Sequence, residues 1–147
     1  TDGKVIIWAV YRYDIQEIEK TLGEKYGKES VATYYGDTKD SIRQSIVDRF
    51  MDADDPLRFF VGNPKTGGYG LTLTSSHTVV YYSNDYSLEV RLQSEDRAHR
   101  IGQTSKVTYV DLMADHTIDE KIVKALNAKI DLASQVMGED PKKILFG

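Results

Sequence analysis

Short apolar runs alternate with stretches in which apolar residues recur every three or four positions, and the alternation repeats along the chain. The run Val5-Ile6-Ile7-Trp8-Ala9-Val10 has no polar interruption, which predicts a strand buried on both faces. Behind it, Ile15, Ile18, Leu22 and Tyr26 share one helical face, with Asp14 placed to cap the first turn and Glu17 three residues on. Val31 to Tyr35 predicts a second strand, a turn follows at Gly36-Asp37-Thr38, and Ile42, Ile46 and Phe50 return to helical spacing. Arg58 to Gly62 and Val79 to Tyr82 predict two further strands joined by a Gly-rich connection. The second of them leads into a helix from about Ser87 to His99, stopped by Gly102. A last strand, Val107 to Leu112, precedes a helix in which Thr117 and Glu120 form a capping box ahead of Ile118, Ile122, Leu126, Ile130 and Met137.

Strand following helix in this order predicts an α/β fold, a parallel sheet with helices on both faces, and ligands at the loops beyond the strand carboxyl ends. A chain of 147 residues suits one domain. Residues 1–137 read as that domain and 138–147 as a C-terminal tail, whose Ile144-Leu145-Phe146 suits either the core or a partner. Apolar residues at 40% and charged residues at 29% are those of a globular protein. No stretch nears the roughly 20 apolar residues of a membrane span, and the N-terminus has no signal-peptide pattern, so a soluble, intracellular protein is expected. The absence of cysteine and the scatter of three histidines exclude disulfides, thiol catalysis and zinc sites, and no metal ligand set is assigned. A net charge of −4 lacks the basic surplus of a protein that holds nucleic acid alone. Either the chain does not bind nucleic acid, or it makes a few local phosphate contacts and shares the grip with another domain.

Two segments carry candidate chemistry. The Gly-rich stretch Gly62-Asn63-Pro64-Lys65-Thr66-Gly67-Gly68-Tyr69-Gly70 follows a strand, as a phosphate loop would. Yet Gly68-Tyr69 stands where a P-loop needs its lysine and hydroxyl residue, and Leu73 stands where the dinucleotide fingerprint needs its third glycine. In Gln93-Ser94-Glu95-Asp96-Arg97-Ala98-His99-Arg100-Ile101-Gly102-Gln103, a rotation of about 100° per residue puts Gln93, Arg97 and Arg100 on one side of the helix. Paired guanidiniums offer a fork of donors to a polyphosphate and can stabilise charge that builds up during phosphoryl transfer. The same spacing suits a solvated face with ion pairs among Glu89, Asp96, Arg97 and Arg100, so the pattern alone leaves both readings open.

A resemblance separates them. Asp96 to Gln103 resembles the sixth helicase motif of the Swi/Snf family, in the form that distinguishes this branch of superfamily two from RNA helicases, which usually place glycine at position 96 and arginine at 103. Gly67-Gly68-Tyr69-Gly70-Leu71-Thr72-Leu73-Thr74 resembles the fifth motif, and Thr78 to Ser83 the strand after it. Val5 to Trp8 is similar to the fourth motif, and Tyr35-Gly36-Asp37-Thr38 with Arg43-Gln44 and Asp48-Arg49-Phe50 to the segment after that. Thr117 to Ile122 resembles the family's final helix, so the likeness covers about residues 4–127.

The resemblance implies a RecA-like lobe, the second of two that close around ATP. It implies that the first lobe, absent here, holds the phosphates and Mg2+, and that this chain supplies arginine fingers, Arg100 foremost and Arg97 second, with Gln93 opening the motif. Gly68 and Gly70 would let backbone approach the nucleotide beside Asp96. Thr38, Asn63, Lys65 and Thr66 would meet the backbone of double-stranded DNA, with Tyr11 and Arg12 a further pair. Pro64 replaces the usual threonine and removes one hydroxyl contact. In Asp85-Tyr86-Ser87-Leu88, Tyr86 stands in for the family's tryptophan. The expected activity is DNA-stimulated ATP hydrolysis and translocation, absent without the first lobe. The alternative is a stand-alone module that docks on DNA or protein without turnover.

Overall fold

In the computed structural model, the structure describes residues 3–66, 71–113 and 117–137. Five strands alternate with four helices. They are β1 (Lys4–Trp8), α1 (Arg12–Tyr26), β2 (Val31–Tyr34), α2 (Asp40–Met51), β3 (Phe59–Gly62), β4 (Ser76–Tyr81), α3 (Leu88–Asp96), β5 (Thr108–Asp111) and α4 (Ile118–Met137), with a single 3-10 turn, Lys28–Ser30, before β2. The sheet is wholly parallel in the order β2-β3-β1-β4-β5, as the alternation predicts.

Connection direction decides which face each helix covers. The chain leaves β1 toward the β2 edge through α1, then moves in the opposite direction through α2 and α3, and right-handed crossovers put opposite moves on opposite faces. Two cores result. Ile15, Ile18 and Leu22 of α1 pack on Val5, Ala9, Val31, Phe59 and Val61. Ile46 and Phe50 of α2 pack on Ile6, Trp8, Tyr34, Phe60, Val79 and Tyr81 of the other face. Phe60 centres that second core, with ring centroids 5.3 Å from Tyr34, 5.5 Å from Phe50 and 5.9 Å from Trp8. Burying one such ring contributes about 1.5–3 kcal/mol. Gly62 is required where β3 ends, because a Cβ there would stand 2.8 Å from the Tyr34 carbonyl and 3.0 Å from the Trp8 ring.

The β3–β4 connection must cross β1, and among its described residues, 63–66 and 71–75, there is no helix. Its second half, residues 71–75, lies along the α2/α3 face, where Leu71 and Leu73 join the second core and Ser75 Oγ donates to the Phe50 carbonyl at 2.7 Å. On the α1 face the β4–β5 half stays open. Tyr82, Val110 and Leu112 are exposed there, beside a groove of about 540 Å3 lined by Tyr13, Asp14, Glu17 and Leu22 of α1.

Four local expectations are corrected. β1 ends at Trp8 rather than Val10, because the Val10 amide turns to Ser83 Oγ at 2.8 Å. β4 starts at Ser76, three residues early, since the buried Ser76 hydroxyl has the Lys4 and Thr78 carbonyls within reach as alternative acceptors for its one proton. Asp14 lies inside the first turn of α1 and Tyr11 holds the cap position, so the carboxylate favours the helix start by charge and not as a cap. α3 ends at Asp96 rather than His99. The chain then turns until Gly102, whose φ of 100° lies in the left-handed region.

Candidate functional site

The segment after α3 is held by the 71–76 strap. Leu73 N donates to the Arg97 carbonyl at 2.8 Å, and Ala98 enters the second core beside Leu71 and Leu73. The Gln103 amide donates to the Thr74, Ser76 and Ala98 carbonyls at 2.9–3.1 Å, so one side chain joins the turn, the strap and the start of β4. The arginine turn therefore lies over the α2/α3 face of the sheet. This segment thus lies away from the strand carboxyl ends, where ligand-facing groups are expected, tied to the strap and the start of β4.

Arg97 and Arg100 sit close enough for each to oppose the other's charge, in different settings. Arg100 is half-buried and oriented: Nε donates to Asp96 Oδ2, and Nη1 to the Leu71 carbonyl and Thr72 Oγ1, each at 3.2 Å. Its Nη2 group makes no bond among the described residues. Arg97 is only 5% exposed, and among the described residues nothing accepts a hydrogen bond or ion pair from its guanidinium. Burial, and after it the charge of Arg100, push its pKa down, while Asp96 and Tyr34 act in the opposite sense. An arginine keeps its proton at neutral pH regardless, so this charge stands under an electrostatic load that an anion would relieve. Gln93, half-buried, donates to Glu89 Oε1 at 3.3 Å and bonds to neither arginine among the described residues. Asp96 is the partner that orients Arg100. Gly68 and Gly70 lie outside the described residues.

The other named residues gather at the strand carboxyl ends. Tyr11 and Arg12 follow β1, Thr38 follows β2, Asn63, Lys65 and Thr66 follow β3, and Tyr86 follows β4. Two ion pairs link neighbouring loops, Arg12 to Asp37 at 2.9 Å and Lys65 to Asp85 at 3.1 Å, with both basic side chains more than half exposed. Tyr11 and Tyr86 are exposed. Thr38 and Asn63 instead organise the edge. Thr38 Oγ1 donates its only proton to the Thr33 carbonyl and accepts from the Tyr35 amide, which leaves no free hydroxyl donor. Asn63 donates to the Val10 carbonyl through Nδ2, accepts from the Lys65 amide through Oδ1, and accepts from the Thr66 amide through its own carbonyl. Pro64 is buried.

Sequence reasoning missed Arg91, Asp111 and Asn84, which form a buried polar knot under α3. The signal available was the poverty of α3 in apolar residues.

The helicase conserved C-terminal domain family matches residues 1–102. The chain belongs to this family. Among the relatives of this helicase C-terminal domain, the ATP-dependent helicase fft2 of Schizosaccharomyces pombe is 32% identical over 144 residues, which is 97% of this chain and 11% of that protein. The helicase SWR1 of Saccharomyces cerevisiae is 36% identical over 104 residues, 71% of this chain and 7% of that protein. Subunit snf22 of the SWI/SNF chromatin-remodeling complex of Schizosaccharomyces pombe is 35% identical over 102 residues, 69% of this chain and 6% of that protein. A solved structure of the C-terminal part of the Fun30 ATPase domain superposes with a TM-score of 0.75 at 27% identity, covering 84% of this chain and 39% of that one. The helicase C-terminal domain is thus a RecA-like lobe of Swi/Snf type, and it spans 6% to 11% of the length of these curated relatives. Among the described residues no helix is long and apolar enough to cross a membrane.

Proposed function

We propose that this chain is the second motor lobe of an ATP-driven translocase on double-stranded DNA, inactive until a first lobe is joined to it. In this reading the first lobe cradles the phosphates and Mg2+, and this lobe presents Arg97 and Arg100 across the cleft. The observation that carries it is the buried guanidinium of Arg97, unpartnered among the described residues and beside an Arg100 already fixed by Asp96 and the strap. A largely buried guanidinium without a hydrogen-bonded counter-charge is stabilised by a ligand that supplies one, and a polyphosphate does. Arg100 complements it as a finger whose inner edge is locked and whose Nη2 group remains to donate. The loops at the strand carboxyl ends face the duplex, with Lys65, Arg12 and Thr66 meeting phosphates and Tyr11 and Tyr86 flanking them.

The test is DNA-stimulated ATP hydrolysis by the protein carrying both lobes, with Arg97→Ala and Arg100→Ala beside the parent. A fall in kcat on the order of a thousandfold in either variant is expected. Near-normal turnover in both removes the finger assignment. The lobe by itself should give no hydrolysis above background with or without duplex DNA.

A further inference from the structure

α3 delivers the arginine turn, yet it has little apolar surface with which to hold itself in place. Of its nine residues Leu88–Asp96, only Leu92 is a buried apolar side chain. Polar contacts replace the missing stripe, and they centre on Arg91. Its guanidinium lies 3.5 Å from the centroid of the Tyr81 ring on β4 and grips Asp111 of β5 with both terminal nitrogens, at 2.6 and 3.1 Å. Nη1 also donates to Asn84 Oδ1 at 2.8 Å, and Asn84 Nδ2 returns a bond to Asp111 Oδ1 at 2.9 Å, which closes a three-residue ring.

The same two strands hold the rest of the helix. Tyr81 Oη and Ser94 Oγ are 2.7 Å apart, and Tyr109 Oη donates to the Glu95 carbonyl at 3.1 Å. That carbonyl also accepts from the Ala98 and His99 amides, at the point where helix becomes arginine turn. Burial pushes the Tyr81 phenol pKa up, so its ring and hydroxyl stay neutral under the guanidinium. Buried ion pairs seldom stabilise more than the apolar residues that could replace them, whereas a bidentate arginine fork fixes direction and distance. A knot of this kind at the root of a helix sets its register and rotation more than its affinity for the sheet. Asp96 inherits that register at the end of the same helix, and Arg97 and Arg100 follow one and four residues beyond it.

We propose that Arg91 is the positioning residue of the phosphate-facing arginines, acting through its fork on Asp111 and Asn84 to fix where α3 places Arg97 and Arg100. The proposal rests on the finger reading above, and its test separates the two. Two variants of the protein with both lobes limit the charge imbalance left behind: Arg91→Lys, which keeps the charge beside Asp111 and Glu95 and loses the fork, and Arg91→Gln with Asp111→Asn, which removes both charges of the fork and leaves Glu95, whose Oε2 lies 3.8 Å from Arg91 Nε in the parent. In each, kcat for DNA-stimulated hydrolysis should fall on the order of tenfold to a hundredfold. KM for ATP and duplex affinity should stay within about twofold, and Tm within about 3 °C. Amide hydrogen exchange over residues 97–103 should quicken in both variants. Parent-like kcat and parent-like exchange in both variants overturn the proposal, as does a loss of kcat that merely follows a loss of Tm. If Arg97→Ala and Arg100→Ala keep turnover while the Arg91 variants quicken exchange, the finger reading fails and the anchoring of the turn by Arg91 stands.

Discussion

Arg12 and Arg97 carry the same guanidinium into opposite surroundings. Arg12 sits on a loop beyond β1, 65% exposed at the side chain, paired with Asp37 of the next loop. Arg97 is 5% exposed over the sheet face and is held by its own backbone, with no acceptor for its charge among the described residues. Water already solvates Arg12, so its ion pair contributes at most about 1 kcal/mol and opens readily. Arg97 keeps little contact with water, and Asp96, which attracts it, is already bonded to Arg100, so a bound anion would stabilise it. On the proposed function, the strand-end loops would be the surface that grips and releases, and the arginine turn a site prepared in advance for one kind of charge. Lys65 belongs with Arg12 in this contrast, and Arg100 stands between the two extremes.

The sharpest way to break the contrast is Arg97→Ala. Removal of an uncompensated buried charge should leave the lobe as stable as before, or more stable by up to about 1 kcal/mol in urea unfolding, while the two-lobe protein loses turnover as stated above. A clear loss of stability would mean that Arg97 has a structural partner, and the contrast would fall. Arg100→Ala should behave differently, lowering stability by about 1–2 kcal/mol because the Leu71 carbonyl, Thr72 and Asp96 lose a charged donor. At the strand ends, Lys65→Ala in the two-lobe protein should reduce the slope of log affinity for duplex DNA against log salt by about one, with basal hydrolysis nearly unchanged. Asp85→Asn frees Lys65 and should tighten duplex binding several-fold in the same titration, opposite in sign to Lys65→Ala. The smallest effect belongs to Asp37→Asn, whose unfolding free energy should stay within about 0.5 kcal/mol of the parent.

Period and punctuation in the sequence carried the strand–helix order, the parallel sheet and its two covered faces, since each apolar run or stripe has one economical place to go. Boundaries failed where backbone partners outweighed side-chain character. Polar Ser76-His77-Thr78 gives no strand signal, yet its backbone pairs with β1 and Ser76 is fully buried. The arginine motif is conspicuous in the sequence because charged and glycine residues cluster there, but the difference between Arg97 and Arg100 is not, because it depends on which carbonyls of the strap approach which guanidinium. Arg91 was the least legible. Its partner Asp111 lies twenty residues away and meets it only because β5 takes its place beside β4. Thr38 shows what residue type alone leaves out: a loop threonine suited to a phosphate contact has its proton on the Thr33 carbonyl here.

Trp8 is the only tryptophan of the chain, fully buried at the end of the central strand, in the core that also receives Leu71 and Ala98. Its indole Nε1 has no hydrogen-bond partner among the described residues. The chain therefore contains one tryptophan fluorophore, which red-edge excitation separates from the ten tyrosines, shielded from water and packed in the core that the strap and the arginine turn complete. Its emission should be blue-shifted in the resting lobe, and a rearrangement of the strap or turn as the lobes close would change that emission without any attached dye.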